Sequence, residues 1–194
     1  MCIRDRREEA RLIAARGICF GIIISLLLMV AAWFAGPELI KLVSTEGVYR
    51  DAGTQYFLVL ILALPAFVMS FGLNGLLQSQ GDTVSMQRAQ IAAFFANIAL
   101  NPVLVFGIPG IWDGIGFNGI AVSTVLSQTG VMVYVAYRLM QTELMDGVTG
   151  SCFRPEKSTY IDITKQMLPV TMTMFVMMSA GFIVQFYLCL LYTS

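Results

Sequence analysis

Two asparagines inside a long apolar stretch are the residues of this sequence with the clearest chemistry. Asn97 and Asn101 are four residues apart, so on a helix they lie on one face. Pro102 follows at once, and because proline has no N–H it leaves the carbonyl of Ile98 without its helical donor. Amide and carbonyl oxygens are the ligands that hard cations prefer, so a Na⁺ site is one interpretation. Hydrogen bonding between helices explains the same amides equally well, and the chemistry alone leaves both interpretations open.

The sequence has a second polar pair, and its long apolar stretches lack charged side chains. Thr124 and Gln128 are also four apart, and they add oxygens if their face turns toward Asn97 and Asn101. The sequence has no histidine, and its long apolar stretches carry no Asp, Glu, Lys or Arg, which argues against acid–base catalysis within a membrane. We therefore predict no enzyme, no catalytic residue, no cofactor and no metal beyond Na⁺. The four cysteines are too widely spaced to suggest a metal site or a redox pair.

The elements that must position these side chains are long enough to cross a membrane. A bilayer core of ~30 Å needs about 20 apolar residues, and five stretches without charge reach that length. They are Gly17–Pro37, Ala52–Gly81, Ala89–Trp112, Gly114–Tyr137 and Gln166–Ser194. Hydrophobic residues make up 57% of the chain and charged residues 12%, about half the share of a soluble domain. The predicted fold class is all-α, a polytopic membrane helix bundle with five transmembrane helices in the lipid bilayer.

The basic residues predict the orientation of these helices. Counted over alternate loops, ten of the twelve Lys and Arg residues fall on the side of the N-terminus and two, Lys41 and Arg50, on the other. Since cytoplasmic loops carry the excess of Lys and Arg, the N-terminus is expected in the cytoplasm and the C-terminus outside. We predict a multi-pass protein of the cytoplasmic (inner) membrane. The net charge of zero and the absence of a basic face predict no nucleic-acid partner.

Prolines and glycines predict where the helices bend or end. The first helix is expected to end at Gly36-Pro37 and to be followed by a short interfacial helix. The second stretch is expected to be one helix with a kink at Pro65. A Gly/Pro loop is predicted over residues 107–116, and the polar segment 138–165 is long enough to be a linker between two bundles.

Three motifs give the chain a family resemblance. The runs Gly72–Thr83, Asn97–Phe106 and Gly114–Gln128 closely resemble multidrug and toxic compound extrusion (MATE) transporters, in matching order and spacing. The resemblance implies a fragment covering about helices 3 to 7 of a twelve-helix transporter with two six-helix lobes. It assigns residues 7–137 to four helices of the N-lobe, 138–165 to the cytoplasmic inter-lobe linker and 166–188 to the first helix of the C-lobe. Residues 1–6 and 189–194 resemble translated sequencing-adapter sequence and are predicted to be artefacts.

The resemblance also implies roles for particular residues. Prokaryotic members have an N-lobe cation site whose polar residues match Asn97, Asn101 and Thr124, with the backbone of Ile120 nearby. Their first-helix carboxylate is not in this chain, and Met177 stands where some members carry an acidic residue, so a C-lobe cation site of that kind is not expected. The remaining polar and proline positions are predicted to line the substrate cavity or act as hinges: Pro65, Asn74, Gln78, Pro102, Gln128 and Pro169.

The function implied by the resemblance is export. The chain is expected to be part of a secondary antiporter that uses Na⁺ or H⁺ to expel drugs or toxic organic compounds, often cationic, and that is a monomer at full length. One alternative is a lipid-linked oligosaccharide flippase of the same superfamily, although the spans have no basic residues for a pyrophosphate. Another is a non-transporting structural membrane subunit, although prolines and paired amides inside spans are costly in a mere scaffold.

Overall fold

The computed structural model describes residues 3–43, 47–146 and 157–193. Side chains are described for 8–41, 47, 50–146 and 157–193, except at 170, 182, 185, 186 and 188–193. Two compact units are present, Met1–Arg154 and Pro155–Ser194. The first carries the polar pairs identified in the sequence, and the described residues of the second form a single helix.

The described residues form six helices and one pair of very short strands, which confirms the predicted all-α class. They are α1 (Ile3–Val43), α2 (Val48–Ile61), α3 (Leu64–Ser79), α4 (Ser85–Phe106), β1 (Gly107–Ile108), β2 (Trp112–Asp113), α5 (Asn118–Met140) and α6 (Lys157–Thr193).

The first helix is longer than predicted. α1 does not end at Gly36-Pro37 but continues through Pro37 to Val43, so that prediction is wrong. Proline removes one hydrogen bond and crowds the carbonyl four residues earlier, which can bend a helix without ending it. Beyond the proline, Lys41 donates to Glu38 at 2.6 Å and supports the last turn. Gly36 faces the ring of Phe57 so closely that a Cβ would collide with it, which shows how tightly α1 and α2 approach each other here.

The second apolar stretch is two helices instead of one. α2 and α3 meet at Leu62 and Ala63 and are bent by 40° relative to each other. The N–H groups of Leu62 and Ala63 bond to carbonyls only three residues back, at 3.2 and 2.9 Å, which tightens the last turn of α2. Pro65 occupies the first turn of α3, where its missing N–H costs nothing. The predicted kink is therefore a break that begins three residues before the proline.

A short β-hairpin joins α4 to α5 where a Gly/Pro loop was predicted. β1 and β2 pair antiparallel, with Gly107 opposite Asp113. Gly107 has a φ of 78°, a conformation that favours glycine, and ends α4. Two further backbone bonds close the hairpin onto α4: the N–H of Ile115 donates to Leu104 at 2.9 Å, and that of Gly116 to Val105 at 3.2 Å. The C-terminal end of α4 and the N-terminal end of α5 are thereby held together.

Helix α5 lies at the centre of the first unit and packs against α2, α3 and α4. Its residues Val131, Val135 and Leu139 are almost fully buried, and Leu77 of α3 joins them. α1 completes this core with Ala14. On the outward faces of α1 and α4 many large apolar side chains are exposed, for example Phe34 at 74% and Phe106 at 81%. Such surfaces suit lipid or further helices and not water.

Three described helices are each long and apolar enough to cross a membrane: Glu8–Lys41, Ser85–Phe106 and Asn118–Met140. The bent α2–α3 pair raises the number to four if it is counted as one span. The predicted fifth crossing falls in α6, where several side chains are outside the described set, and it stays a prediction. α6 begins at Lys157 instead of Gln166, so the last part of the predicted linker is helical. Residues 147–156 of that linker, together with 1, 2 and 194 of the predicted artefacts, lie outside the described residues.

Candidate functional site

Asn97 and Asn101 meet the polar face of α5. The amide of Asn101 donates from Nδ2 to Oδ1 of Asn97 at 2.9 Å, as expected for residues one helical turn apart. Asn97 in turn points Nδ2 at Oγ1 of Thr124, 3.5 Å away on α5. All three side chains are half-buried. The structure therefore brings together the three side chains that were predicted to share a site.

Ser123 belongs to the same group of side chains, although the sequence analysis did not assign it. It is fully buried, and its Oγ forms a short hydrogen bond to Oδ1 of Asn101. The same hydroxyl lies 2.8 Å from the carbonyl of Ile120, to which Thr124 also donates at 2.9 Å. We call Asn97, Asn101, Ser123, Thr124 and the carbonyl of Ile120 the polar cluster. A serine next to a predicted ligand, on a face of small residues turned toward α4, was the signal that could have identified it.

The chemistry of the polar cluster is that of neutral oxygens. It offers two amide oxygens, two hydroxyls and one main-chain carbonyl, all held by helices that cross the membrane. Each hydroxyl is directed by the Ile120 carbonyl, because a Ser or Thr in a helix bonds three or four residues back. Such a set can coordinate a hard cation once the amides turn their oxygens toward it. It contains no titratable side chain, so it cannot take up a proton by itself.

A cleft of about 260 Å³ opens beside the polar cluster. Three predicted residues line it, Asn97, Thr124 and Gln128. Gln128 is buried, with 6% of its surface exposed. The sequence analysis did not assign the other lining residues, which are Gln90, Ala93, Phe94, Ile98 and Ser127. Oγ of Ser127 is buried and has no hydrogen-bond partner among the described residues.

The other predicted cavity and hinge residues lie outside the polar cluster and its cleft. Pro65 lines a separate apolar cavity of about 650 Å³, shared by α1, α3 and α5 and rich in methionine. Asn74 on α3 is half-buried, and its Oδ1 has no hydrogen-bond partner among the described residues. Gln78 is exposed near the end of α3.

The two remaining prolines sit inside helices. Pro102 is exposed and lies within α4, which it does not interrupt. It follows Asn101 directly, so the carbonyl that it leaves without a helical donor belongs to Ile98, a residue that lines the cleft. Pro169 lies within α6, in the second unit, and is exposed.

Comparison with known proteins identifies the family of this chain. The family profile described as MatE matches residues 4–103. The multidrug export protein MepA of Staphylococcus saprophyticus is 21% identical over 181 residues, which are 93% of this chain and 39% of the relative. The probable multidrug resistance protein YoeA of Bacillus subtilis is 28% identical over 138 residues, 68% of this chain and 30% of the relative. This chain thus spans well under half the length of these curated relatives.

A solved structure supports the fold. It is described as the inward-facing conformation of a multidrug resistance MATE family transporter of the MOP superfamily, and it superposes with a TM-score of 0.63 at 22% identity. The superposition covers 86% of this chain and 43% of the other. Since the family profile alone matches more than half of the residues, this chain belongs to the MATE family.

Proposed function

We propose that this chain is part of a secondary antiporter of the cytoplasmic membrane that exports drugs or toxic organic compounds, driven by Na⁺ or H⁺. The observation that carries the proposal is the polar cluster, a set of neutral oxygens held between two membrane-spanning helices. Polar groups at membrane depth are costly and mark ion or substrate pathways more often than scaffolds. The names of the curated relatives, which describe multidrug export and multidrug resistance, support the same cargo class for this protein.

Na⁺ is the coupling ion that suits the polar cluster itself. Asn97, Asn101, Ser123 and Thr124 offer oxygens without a charge, and an alkali cation is bound by such oxygens in place of its water. Coupling to H⁺ needs a titratable group beside them, such as the first-helix carboxylate implied by the family resemblance. In either case the residues of this chain orient the ion, and a second group supplies the charge that balances it.

The cleft beside the polar cluster suits a small organic cargo. Phe94 presents an aromatic side chain, and Gln90 and Gln128 present amides, to the same cleft. Aromatic walls with a few polar groups are typical of sites for small organic molecules, and an aromatic face also attracts organic cations. Asn97 and Thr124 line the cleft and also belong to the polar cluster. Binding of the cargo would therefore change the affinity for the ion, and binding of the ion would change the affinity for the cargo.

A packing role for the amides is the second candidate, and one observation favours it. Every side chain of the polar cluster already has a hydrogen-bond partner within the cluster. Amides that satisfy each other between helices contribute about 1 kcal/mol to association without binding anything. A functional measurement separates the two roles.

The test is ion-driven efflux from membrane vesicles by the transporter completed with its flanking sequence. Asn97→Ala with Asn101→Ala should abolish export of a cationic dye under an imposed Na⁺ or H⁺ gradient, while membrane abundance stays near the parental level. The matched control is Gln55→Ala with Asn118→Ala, which removes another pair of amides, 3.4 Å apart and exposed. Export at the parental rate by the double asparagine variant would establish the packing role and refute this proposal.

A further inference from the structure

Asp82 ties the start of α4 to the end of α5. Its Oδ1 accepts the backbone N–H groups of Val84 and Ser85 at 3.3 and 3.0 Å, which caps α4. Its Oδ2 accepts the Ser85 hydroxyl at 2.6 Å and Nη2 of Arg138 at 3.0 Å. Arg138 stands in the last turn of α5, so one carboxylate orders the α3–α4 turn and joins it to another helix.

The polar cluster lies between this contact and a second one. At the other end of α4 and α5, the backbone bonds from Ile115 to Leu104 and from Gly116 to Val105 join α4 to the segment just before α5. Gly119 of α5 lies there directly against the backbone of Leu104. Asn97 is twelve residues, about 18 Å, from Ser85, so the Asp82–Arg138 pair acts on the cluster through a helix and not by contact.

We propose that Asp82 and Arg138 are positioning residues for the polar cluster. Together with the backbone contacts at the other end, the pair holds α4 and α5 at the axial register that sets Asn97 and Asn101 opposite Ser123 and Thr124. One residue of slippage moves a helix by about 1.5 Å, enough to break the 3.5 Å contact between Asn97 and Thr124. The role of the pair in transport rests on the proposed function, whereas its effect on the register does not.

The Asp82–Arg138 ion pair has the exposure and the hydrogen bonds expected of a contact that positions helices. Side-chain exposure is 20% for Asp82 and 42% for Arg138, so water screens the pair and its strength as an isolated ion pair is small. The carboxylate is nevertheless fully engaged, with four donors on its two oxygens. Its orientation is therefore set by the α4 cap, and Arg138 binds an acceptor that is already fixed in place.

Disulfide formation in the 194-residue chain in membranes measures the register directly. The four native cysteines, Cys2, Cys19, Cys152 and Cys189, are replaced by serine, and Asn101→Cys with Ser123→Cys provides the reporter pair. Adding Arg138→Gln or Asp82→Asn should slow cross-linking of the reporter pair about threefold, the factor that a partly exposed ion pair supports. Arg138→Lys, which keeps the charge, should slow it less.

Two controls make the result specific. Arg88→Gln removes the same charge from an exposed position of α4 and should leave the cross-linking rate unchanged. A second reporter pair, Gln55→Cys with Asn118→Cys, joins α2 to α5 and should not respond to Arg138→Gln. Unchanged cross-linking in the cluster, or equal slowing of both reporter pairs, would show that Asp82 and Arg138 form only a surface contact. Cross-linking needs no ion gradient, so failure of the proposed function, seen as parental efflux in the asparagine variants, and failure of this proposal are distinguishable.

Discussion

The Ser123 hydroxyl has one proton for two acceptors, the amide oxygen of Asn101 and the carbonyl of Ile120. It can donate to only one of them at a time. When it donates to Ile120, its lone pairs and the Asn101 oxygen face each other without a proton between them, which is unfavourable unless a cation lies there. Under the proposed function, the proton of Ser123 would therefore decide whether the polar cluster is closed on itself or open to an ion.

We predict that Ser123→Ala destabilises the first unit by about 1 kcal/mol, the worth of a hydrogen bond between membrane helices. The loss arises because the amide oxygen of Asn101 is left in a half-buried position without this donor. Thermal unfolding of the purified chain in detergent measures it. Ser127→Ala is the matched control: that hydroxyl is one turn further along α5 and has no partner among the described residues, so its removal should be neutral or stabilising. Equal effects of the two substitutions would contradict the prediction.

At the scale of the elements, α4 and α5 approach each other closely because Gly119 has no side chain. A Cβ at this position would lie 2.7 Å from the carbonyl carbon of Leu104, a backbone atom that cannot move aside by itself. Gly130, on the same helix, has open space around the position of its missing Cβ. The two glycines thus have the same backbone setting and opposite surroundings.

Gly119→Ala should destabilise the chain by about 1–3 kcal/mol, because α4 must move away from α5 to admit the methyl group. Gly130→Ala should stabilise it slightly, by up to about 1 kcal/mol, through helix propensity alone. Chemical or thermal unfolding of the two variants checks the sign of each change. If both alanines stabilise, the close approach of α4 and α5 is not required for the fold.

The turn between α3 and α4 should resist mild acid. The Ser85 hydroxyl, its backbone N–H and then Arg138 hold the pKa of Asp82 well below its usual range. A lowered pKa means that the carboxylate contributes stability above the ordinary aspartate pKa of about 3.9, and that this contribution is lost only as the pH falls through the lower folded-state value.

Hydrogen exchange at the backbone amides of Val84 and Ser85 tests this directly. Corrected for the intrinsic effect of pH, their protection should be the same at pH 7 and pH 5, and Asp82→Asn should lower it at both values. Loss of protection between pH 7 and pH 5 in the parental chain would show that Asp82 titrates in that range.

Helical periodicity was sufficient to predict the face shared by Asn97 and Asn101, because residues four apart meet on any helix. The distribution of apolar and charged residues was likewise sufficient to predict that the first unit consists of long apolar helices. The break before Pro65 and the continuation of α1 through Pro37 were not predictable from the sequence. Proline lies inside α1 but in the first turn of α3, and the tertiary packing around each proline decides between these two outcomes. Ser123 was missed because its role depends on which face of α5 turns toward α4, a tertiary contact.

At the scale of the whole molecule, the bent α2–α3 pair decides the topology. Its two helices, of 14 and 16 residues, are each too short for a ~30 Å core but long enough together. A bent pair of this kind is either a broken span that crosses the bilayer or a re-entrant loop that returns to the side it came from. The distribution of basic residues favours crossing, because crossing places ten of the twelve Lys and Arg residues on one side of the membrane. Lys41, which precedes the pair, and Arg50, in the first turn of α2, are the two on the other side.

Reporter fusions after residues 44, 82, 113 and 156 should therefore read outside, inside, outside and inside. Each site is fused separately to a reporter that is active only outside the cytoplasm and to one that is active only within it. An inactive fusion protein is then not mistaken for evidence of location on the opposite side. If the fusions after 44 and 82 report the same side, α2 and α3 form a re-entrant loop. In that case Asp82 and Arg138 lie at the outer surface and the excess of basic residues does not set the orientation. If they report opposite sides as predicted, the Asp82–Arg138 contact is cytoplasmic and the polar cluster lies between it and the outer hairpin, at the depth where an alternating-access transporter needs its ion site.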